Sequence, residues 1–426
     1  MSEFILQNVK ILDPTSPHHQ QVMDMRVANG LIEEIAPDIT KAVTRIQLDD
    51  LTVSPGWCDL RAALNEPGFE YKDDLSSLTN SAKVGGFTDI AVLPNTNPTI
   101  QTRDAVQYII NQSKFKGIDL HPIAALTKET RGEQITEMID LHQAGAKAFS
   151  DGIYPIASSE IMLLSLQYLQ TVNGLLITLP ELREISPNGQ MHEGEVSTML
   201  GTKAIPSLSE ELAIIRDIEL LKYTDGRIHF STISTARGVE LIRGAKKEGL
   251  RVTCDVAAHQ LVFTDQDLFG FDTNLKVRPP FRAKADQEAL WQGLADGTID
   301  AICTSHAPHD EESKKLEFDL ADFGILGLET AFAAVMTHRP DYISTEVVLE
   351  KLTTSPRAIL GLAQPSIKVG QPAKLTLFSE TLEWEFQQQH IQSKSKNTPF
   401  VGTTFKGKSL GIINGIVHWF AEELKS

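Results

Sequence analysis

Cysteine, positive charge and long apolar runs are all scarce in this chain of 426 residues. The three cysteines, Cys58, Cys254 and Cys303, lie far apart and show no C-x-x-C spacing. This pattern argues against a disulfide framework or a zinc knuckle and favours a reducing compartment. Lys and Arg number 39 against 56 Asp and Glu, which gives a formal net charge of −17. Because no basic field exists to hold phosphates, nucleic acid and an anionic membrane surface are excluded as the main partners.

The chain also lacks a recognisable membrane or targeting segment. No apolar run approaches the ~20 residues needed to span a bilayer. The opening sequence MSEFILQNVKILDP places acidic and polar residues within a short apolar stretch, unlike a signal or transit peptide. We therefore predict a soluble, cytoplasmic protein whose length suits one large domain with a smaller one, or two or three medium domains.

Both ends of the chain carry the alternating apolar pattern of β-strands. The runs with this pattern are 4–12, 22–27, 31–35, 374–378, 409–413 and 415–420. Asn29-Gly30, a typical hairpin turn, separates two of the N-terminal runs. The pattern predicts one small β domain composed of residues 1–52 and 363–426.

Between these ends, short β-prone runs alternate with amphipathic segments of helix length. The eight runs are 53–60, 88–93, 120–126, 146–149, 175–179, 227–233, 251–257 and 298–303. Segments 104–112, 209–222 and 238–248 carry apolar residues at helical spacing. Eight strand–helix units predict an α/β fold. Because no glycine-rich dinucleotide fingerprint is present, we favour a (β/α)8 TIM barrel over residues 53–362. An open doubly wound sheet is the alternative. In such a barrel the functional side chains stand at the C-terminal ends of the strands.

Several motifs stand at these strand ends and in the loops that follow them. They are P-G-x-x-D at Pro55, E-P-G at Glu66, P-N-T-x-P at Pro94, the loop from Asn188-Gly189 to Gly194-Glu195, K-V-x-P-P-x-R at Lys276, H-A-P-H at His306, G-L-E-T-A at Gly327 and N-T-P-F-x-G at Asn397. In this order, over nearly the whole length, the chain resembles the dihydroorotases of the amidohydrolase superfamily, the long class related to allantoinases and dihydropyrimidinases. The resemblance implies a TIM barrel of the metal-dependent hydrolase type with a small composite β-sandwich domain from both termini.

Dihydroorotases open the dihydroorotate ring, or close it from carbamoyl aspartate, at a site with one or two zinc ions. The metal lowers the pKa of a bound water, and an acidic side chain carries the proton. The resemblance implies ligands in an H-x-H motif after strand one, a Lys or Asp after strand four, a His each after strands five and six, and an Asp after strand eight. The residues at these positions are Arg61, Ala63, Asp151, Thr178, Thr232 and Ser305.

These six residues depart almost completely from a zinc site. None of the 12 histidines falls on a ligand position, and Asp151 is the sole surviving candidate ligand. Alanine donates nothing, Thr and Ser hydroxyls are poor zinc ligands, and the fixed charge of Arg61 opposes a divalent metal. We therefore predict no bound zinc and no catalytic residue. We also predict that Arg61 pairs with Asp151, or with Asp59 instead, because an unpaired buried charge is costly.

Further positions correspond to a substrate pocket, which is expected here in vestigial form. They are Asn65, Asn95, His259, Arg278, His306 and His309. The resemblance implies an arginine in place of Asn65 and an asparagine in place of Arg278, whereas Asn95 matches. His306 and His309 are too few for a relocated metal site, so we favour a role in loop structure or substrate contact. His259 is read as a pocket or capping residue, with capping preferred, and His229 as a core histidine.

Three functions are consistent with this pattern. The first is a non-catalytic dihydroorotase homologue of de novo pyrimidine biosynthesis that acts as a structural or assembly partner of aspartate transcarbamoylase, as some dihydroorotase-like chains without metal ligands do. The second is an active dihydroorotase or related cyclic amidase with a remodelled site. The third is a small-molecule binding protein that holds a carboxylate near Arg61, Asn95 and Arg278. The first is preferred because metal-activated water has no substitute among these residues, and a homo-oligomer is expected.

Overall fold

A computed structural model describes residues 3–114 and 116–424. The strands are β1 (Glu3–Ile11), β2 (Val22–Ala28), β3 (Leu31–Ala36), β4 (Thr44–Ile46), β5 (Thr52–Pro55), β6 (Trp57–Ala62), β7 (Phe87–Val92), β8 (Asp119–Ala125), β9 (Ala148–Ser150), β10 (Leu176–Thr178), β11 (Met191–His192), β12 (Ala204–Ile205), β13 (Ile228–Phe230), β14 (Val252–Ala257), β15 (Ala301–Cys303), β16 (Lys374–Glu385), β17 (Thr404–Asn414) and β18 (Val417–Phe420). The helices are α1 (Leu75–Gly85), α2 (Arg103–Ser113), α3 (Met138–Gln143), α4 (Ser159–Gln170), α5 (Glu195–Leu200), α6 (Ser207–Thr224), α7 (Ala236–Lys247), α8 (Lys284–Ala295), α9 (Glu311–Lys314), α10 (Ala331–His338), α11 (Thr345–Leu352) and α12 (Thr354–Leu360).

Eight parallel strands form the barrel in the order β6, β7, β8, β9, β10, β13, β14 and β15. The last strand returns to the first through a parallel bridge between Ala62 and His306, where the Ala63 N–H donates to the His306 carbonyl at 2.8 Å. The barrel strands are almost entirely buried, because helices cover their outer side and side chains fill the interior. The predicted (β/α)8 barrel is confirmed, and the open sheet is excluded.

The run predicted as the first barrel strand, 53–60, is divided at Gly56. β5 pairs with β1 and β16 in the other large sheet, whereas β6 pairs with β7. A Cβ atom on Gly56 would lie 2.3 Å from Thr88 Oγ1, so only glycine permits this close approach of chain and side chain. The sequence pattern assigns residues 53–55 to the barrel. In the structure they belong to the β domain instead.

Both ends of the chain meet in a second eight-stranded sheet, with the order β18, β17, β16, β5, β1, β2, β3 and with β4 beside β1. Asn29 and Gly30 have φ of 52° and 79°, as a type I′ hairpin turn requires. The domain has its own core, to which Leu6, Val53 and Leu375 contribute from both ends of the chain. The predicted composite β domain is confirmed.

Helices α1, α2, α4, α7 and α11 pack against barrel strands. α2, α6 and α7 correspond to the three segments with helical spacing in the sequence. Throughout 3–114 and 116–424, no helix is both long and apolar enough to cross a membrane.

A buried ionic cluster joins the barrel to the β domain. Asp89 on β7 accepts hydrogen bonds from Arg357 Nη2 at 2.5 Å, Lys374 Nζ at 2.7 Å and His121 Nε2 at 2.9 Å. Arg357 belongs to α12, and Lys374 is the first residue of β16. Burial acts to raise the pKa of Asp89, but the hydrogen bond from His121 and the charges of Arg357 and Lys374 hold that pKa well below its usual range. This carboxylate therefore links three elements that are distant in sequence.

Candidate functional site

A cavity of about 620 Å³ opens at the C-terminal ends of the barrel strands, where function is expected in this fold. All six predicted pocket residues line it, namely Asn65, Asn95, His259, Arg278, His306 and His309. Of the six ligand positions, Arg61, Ala63 and Ser305 also line the cavity. Asp151, Thr178 and Thr232 are buried at the same ends of the strands. The motifs that the sequence places on separate strands therefore do converge.

Arg61, at the end of β6, is buried beside the cavity with 5% of its surface exposed. Its Nη1 and Nη2 donate to a single acceptor, the Gly152 carbonyl, at 3.4 and 3.3 Å. These are long and weak hydrogen bonds. Among the described residues, no ion pair joins this guanidinium to a carboxylate. The predicted pairing of Arg61 with Asp151 or Asp59 is therefore wrong, because both carboxylates have other partners.

Asp151 is held by the loop that follows β8. Its two carboxylate oxygens accept from the Thr127 N–H at 2.8 Å and from the Thr127 hydroxyl at 2.5 Å. Burial raises the pKa of Asp151, although both bonds to Thr127 oppose the shift. Asp151, the one carboxylate at the six ligand positions, therefore links the loop after β9 to the loop after β8 and is not free to bind a metal.

Asp59 lies in the same strand as Arg61, and its carboxylate is hydrogen-bonded to the end of the neighbouring strand β15. It accepts from the Thr304 N–H and the Thr304 hydroxyl, both at 2.7 Å. Burial raises the pKa of Asp59 to about 7, because complete removal from water disfavours the charged form. This carboxyl group is therefore partly protonated near neutral pH.

The pKa of Asp255, on β14, is shifted in the opposite direction from that of Asp59. It accepts from His229 Nε2 at 2.8 Å and from the Thr232 N–H at 2.5 Å. Although burial opposes the shift, the hydrogen bond and charge of His229 lower the pKa of Asp255, and the charge of Arg61 contributes at longer range. His229 Nδ1 lies 2.9 Å from the Thr253 hydroxyl, so both ring nitrogens have partners. The interpretation of His229 as a satisfied core histidine is confirmed.

Two residues at expected ligand positions have a left-handed backbone. Thr232 after β13 has φ of 56°, and Ser305 after β15 has φ of 47°. This conformation costs about 1–2 kcal/mol in residues other than glycine and persists where the surroundings enforce it, often at functional sites. The unusual backbone thus coincides with two of the positions at which the resemblance implies a His and an Asp.

The side chains at the six positions do not fit zinc. A zinc site needs at least three nitrogen, sulfur or carboxylate donors around one point. Asp151 supplies the only such donor, and Thr127 engages both of its oxygens. Within the described ranges, no group of three His, Cys, Asp or Glu side chains is arranged to hold a metal ion. The permanent charge of Arg61 further opposes a cation.

Arg278 is neutralised by Glu181, a residue that the sequence interpretation missed. Its Nε lies 2.9 Å from each carboxylate oxygen, and Nη2 lies 2.5 Å from Oε1. The guanidinium also stands 5.1 Å from the centroid of the Phe323 ring, and Arg183 Nε lies 3.4 Å from the same glutamate. The signal for Glu181 was its place directly after Pro180 at the end of the fifth β-prone run.

The side-chain amides of the two pocket asparagines, Asn95 and Asn65, differ in their hydrogen bonding. Asn95 donates from Nδ2 to the Asp151 carbonyl and accepts at Oδ1 from the Ile153 N–H, both at 3.1 Å. Its amide therefore fixes the loop after β9. Asn65 Nδ2 is buried and, within the part of the chain described, has no hydrogen-bond partner. A buried N–H group without a partner destabilises the folded state, by about 1–3 kcal/mol.

His306 and His309 secure the loops around the cavity. His306 Nδ1 accepts from the N–H groups of Gly327 at 3.2 Å and Leu328 at 3.3 Å, which places the proton of the neutral ring on Nε2. His309 Nδ1 lies 3.1 Å from Lys72 Nζ and 3.2 Å from Asp322 Oδ2. These contacts agree with the preferred role in loop structure.

His259 lies in the short 3₁₀ turn Ala258–Leu261 after β14. Its ring lines the cavity and meets the Phe281 ring edge-on, with centroids 5.7 Å apart. The cap positions of that turn are Ala257 and Val262, so His259 is not a cap residue, and its place in the cavity lining agrees with the pocket alternative instead of the preferred capping interpretation. Burial and the nearby Arg61 charge lower the pKa of His259 to about 3, so its imidazole is neutral at physiological pH.

Comparison with known proteins agrees with the fold and with the motifs. The family described as Dihydro-orotase-like matches residues 51–238. A dihydroorotase of Acetivibrio thermocellus is 38% identical over 97% of this chain and 98% of its own length. A dihydroorotase of Caldanaerobacter subterraneus subsp. tengcongensis is 40% identical over 91% of each chain. The solved L-hydantoinase (dihydropyrimidinase) of Arthrobacter aurescens has a TM-score of 0.86 at 22% identity, over 99% of this chain and 97% of that one. That structure shares the fold.

Proposed function

This chain belongs to the dihydroorotase family, and from that premise we propose that it is a member without dihydroorotase activity that serves as a structural partner of aspartate transcarbamoylase in pyrimidine biosynthesis. The observation that carries the proposal is the buried guanidinium of Arg61 at the first ligand position. The six positions together offer a single carboxylate, which Thr127 already engages. A homo-oligomeric state remains part of the proposal.

The chemistry of ring opening supports the loss of activity. A metal lowers the pKa of bound water from about 15.7 to about 7, and this supplies the nucleophile at neutral pH. None of the three cavity histidines is placed to replace that effect as a general base. His259 has a pKa of about 3, His306 Nδ1 accepts two backbone N–H groups, and His309 lies between Lys72 and Asp322.

We expect the purified chain to contain far less than one zinc per chain and to hydrolyse dihydroorotate no faster than buffer does. Neither added zinc nor a chelator should change this result. Arg61→His alone should not restore turnover, because zinc donors act as a set. Metal analysis by mass spectrometry and an absorbance assay for ring opening check the prediction, with an active dihydroorotase as the positive control. Turnover that a chelator abolishes would refute the proposal.

The partner role is tested by producing the chain together with aspartate transcarbamoylase from the same organism. We expect the two to co-purify as one species, and the transcarbamoylase produced alone to assemble poorly or to lose activity. Arg61→Met should leave this association unchanged, because a scaffold does not use the cavity. A transcarbamoylase that assembles fully by itself and migrates separately from this chain on size exclusion would contradict the role.

A further inference from the structure

The cavity at the barrel mouth is positively biased in a protein of net charge −17. Its charged lining consists of Arg61, Lys72, Arg183, Arg278, Glu129 and Asp322. Lys72 lies 3.4 Å from Asp322, and Glu181 binds both Arg278 and Arg183. Among the described residues, Arg61 is the cation of this set that has no carboxylate within ion-pair distance.

The guanidinium of Arg61 is therefore a buried anion-binding group with spare capacity. Its bonds to Gly152 are long and go to one oxygen, although a guanidinium has five N–H donors. The fork of these donors matches a carboxylate, which can accept two parallel hydrogen bonds. Asn65, whose buried Nδ2 has no partner among the described residues, also lines this cavity.

The remaining walls define the class of ligand. A cavity of about 620 Å³ lies within the 300–1,000 Å³ usual for small-molecule sites. Leu64, Leu93 and Leu179 provide apolar surface for the body of a ligand, and the neutral His259 adds no charge. Glu129 and Asp322 also line the cavity, so a phosphate or a second carboxylate would meet like charge.

We propose that this cavity binds a small organic monocarboxylate whose carboxylate is anchored on Arg61. The anchor stands at a position where an active dihydroorotase has a metal ligand, so this site replaces the metal centre rather than repeating it. The inference goes beyond the proposed function but shares one premise with it, that no metal occupies the position of Arg61. Different readouts test the two, turnover for the proposed function and preference for a carboxylate for this inference. Metal-dependent turnover would overturn both, whereas loss of the preference without turnover would overturn this inference alone.

Matched pairs of probes, which differ only at the carboxylate, test the proposal on the full-length chain. The pairs are benzoate with benzamide, pyroglutamate with 2-pyrrolidinone, and dihydroorotate with dihydrouracil. In at least one pair we expect the carboxylate to bind about 10–100-fold more tightly by calorimetry, the factor typical of a charge-assisted hydrogen bond. Inorganic phosphate should bind more weakly than that carboxylate.

Variants then assign the effect to Arg61. Arg61→Met should abolish the preference for the carboxylate, and Arg61→Lys should retain part of it. Arg237→Met is the matched control, because Arg237 is an exposed residue of α7 that pairs with Glu240. Circular dichroism and melting temperature verify the fold of each variant. The proposal is overturned if no pair shows a preference, if phosphate binds best, or if folded Arg61→Met keeps the preference.

Discussion

Asp89→Asn should lower the free energy of unfolding by about 3–5 kcal/mol, the usual result of breaking a buried ion pair by removing one partner. Asp89 is 2% exposed, and Arg357, its partner from α12, is 1% exposed. An asparagine leaves the guanidinium buried without a countercharge and turns an N–H group toward at least one of the side chains that donate to Asp89. The contact between the barrel and the start of β16 should weaken most.

The pH dependence of unfolding gives this prediction a second readout. The pKa of Asp89 lies well below its ordinary value, so its stabilising effect is complete above the unfolded-state pKa of about 4. That effect is lost as the pH falls toward the folded-state pKa. The variant should therefore differ most from the native chain at neutral pH and least in acid. Urea denaturation at pH 7 and at a series of pH values below 4 measures both quantities.

Asp119→Asn is the matched control for this experiment. Asp119 also accepts from Lys374 Nζ at 2.7 Å, but its side chain is 48% exposed. An exposed ion pair contributes about 0–1 kcal/mol, so the same chemical change should have little effect there. Equal losses of stability in the two variants would show that burial does not determine the contribution of Asp89.

The fold was largely accessible from the sequence because its signals are local. Apolar alternation and helical spacing identify the strands, and Asn29-Gly30 marks its hairpin without reference to any distant residue. The division at Gly56 was not accessible in this way. It depends on the approach of Thr88, which is a neighbour only after the barrel has formed.

In the candidate site, too, the features set by local sequence could be predicted and those set by contacts between distant loops could not. Motif positions predict which residues line the cavity, and all six pocket residues do so. They do not predict which charges pair, because the pairing depends on distances between different loops. Arg61 therefore lacks the partner expected for it, and Glu181 holds Arg278 although no motif marks that contact.

Asp59→Asn and Asp255→Asn, the same change at two buried carboxylates near Arg61, should alter stability in opposite directions. Burial raises the pKa of Asp59 to about 7, so the folded chain binds a proton there that the unfolded chain releases above about pH 4. Stability then falls as the pH rises through this window, because the folded state binds more protons. Asparagine mimics the protonated form, and its N–H can donate to the Thr304 hydroxyl. We expect Asp59→Asn to stabilise the chain by about 1–4 kcal/mol at pH 8 and by little at pH 4.

The pKa of Asp255 is lowered instead, so its charge stabilises the fold above the unfolded-state pKa of about 4, and this contribution is lost in acid. Both of its oxygens accept hydrogen bonds, from Thr232 N–H and from His229 Nε2. An asparagine therefore turns at least one N–H toward a donor and also removes the negative charge that faces Arg61 at longer range. We expect Asp255→Asn to destabilise the chain by about 2–4 kcal/mol at pH 8. Denaturation of both variants at pH 4 and pH 8 measures the two signs. If both variants change the free energy of unfolding in the same direction at pH 8, the pKa values of Asp59 and Asp255 are not shifted in opposite directions. The negative charge near the Arg61 guanidinium would then be distributed differently from the arrangement described.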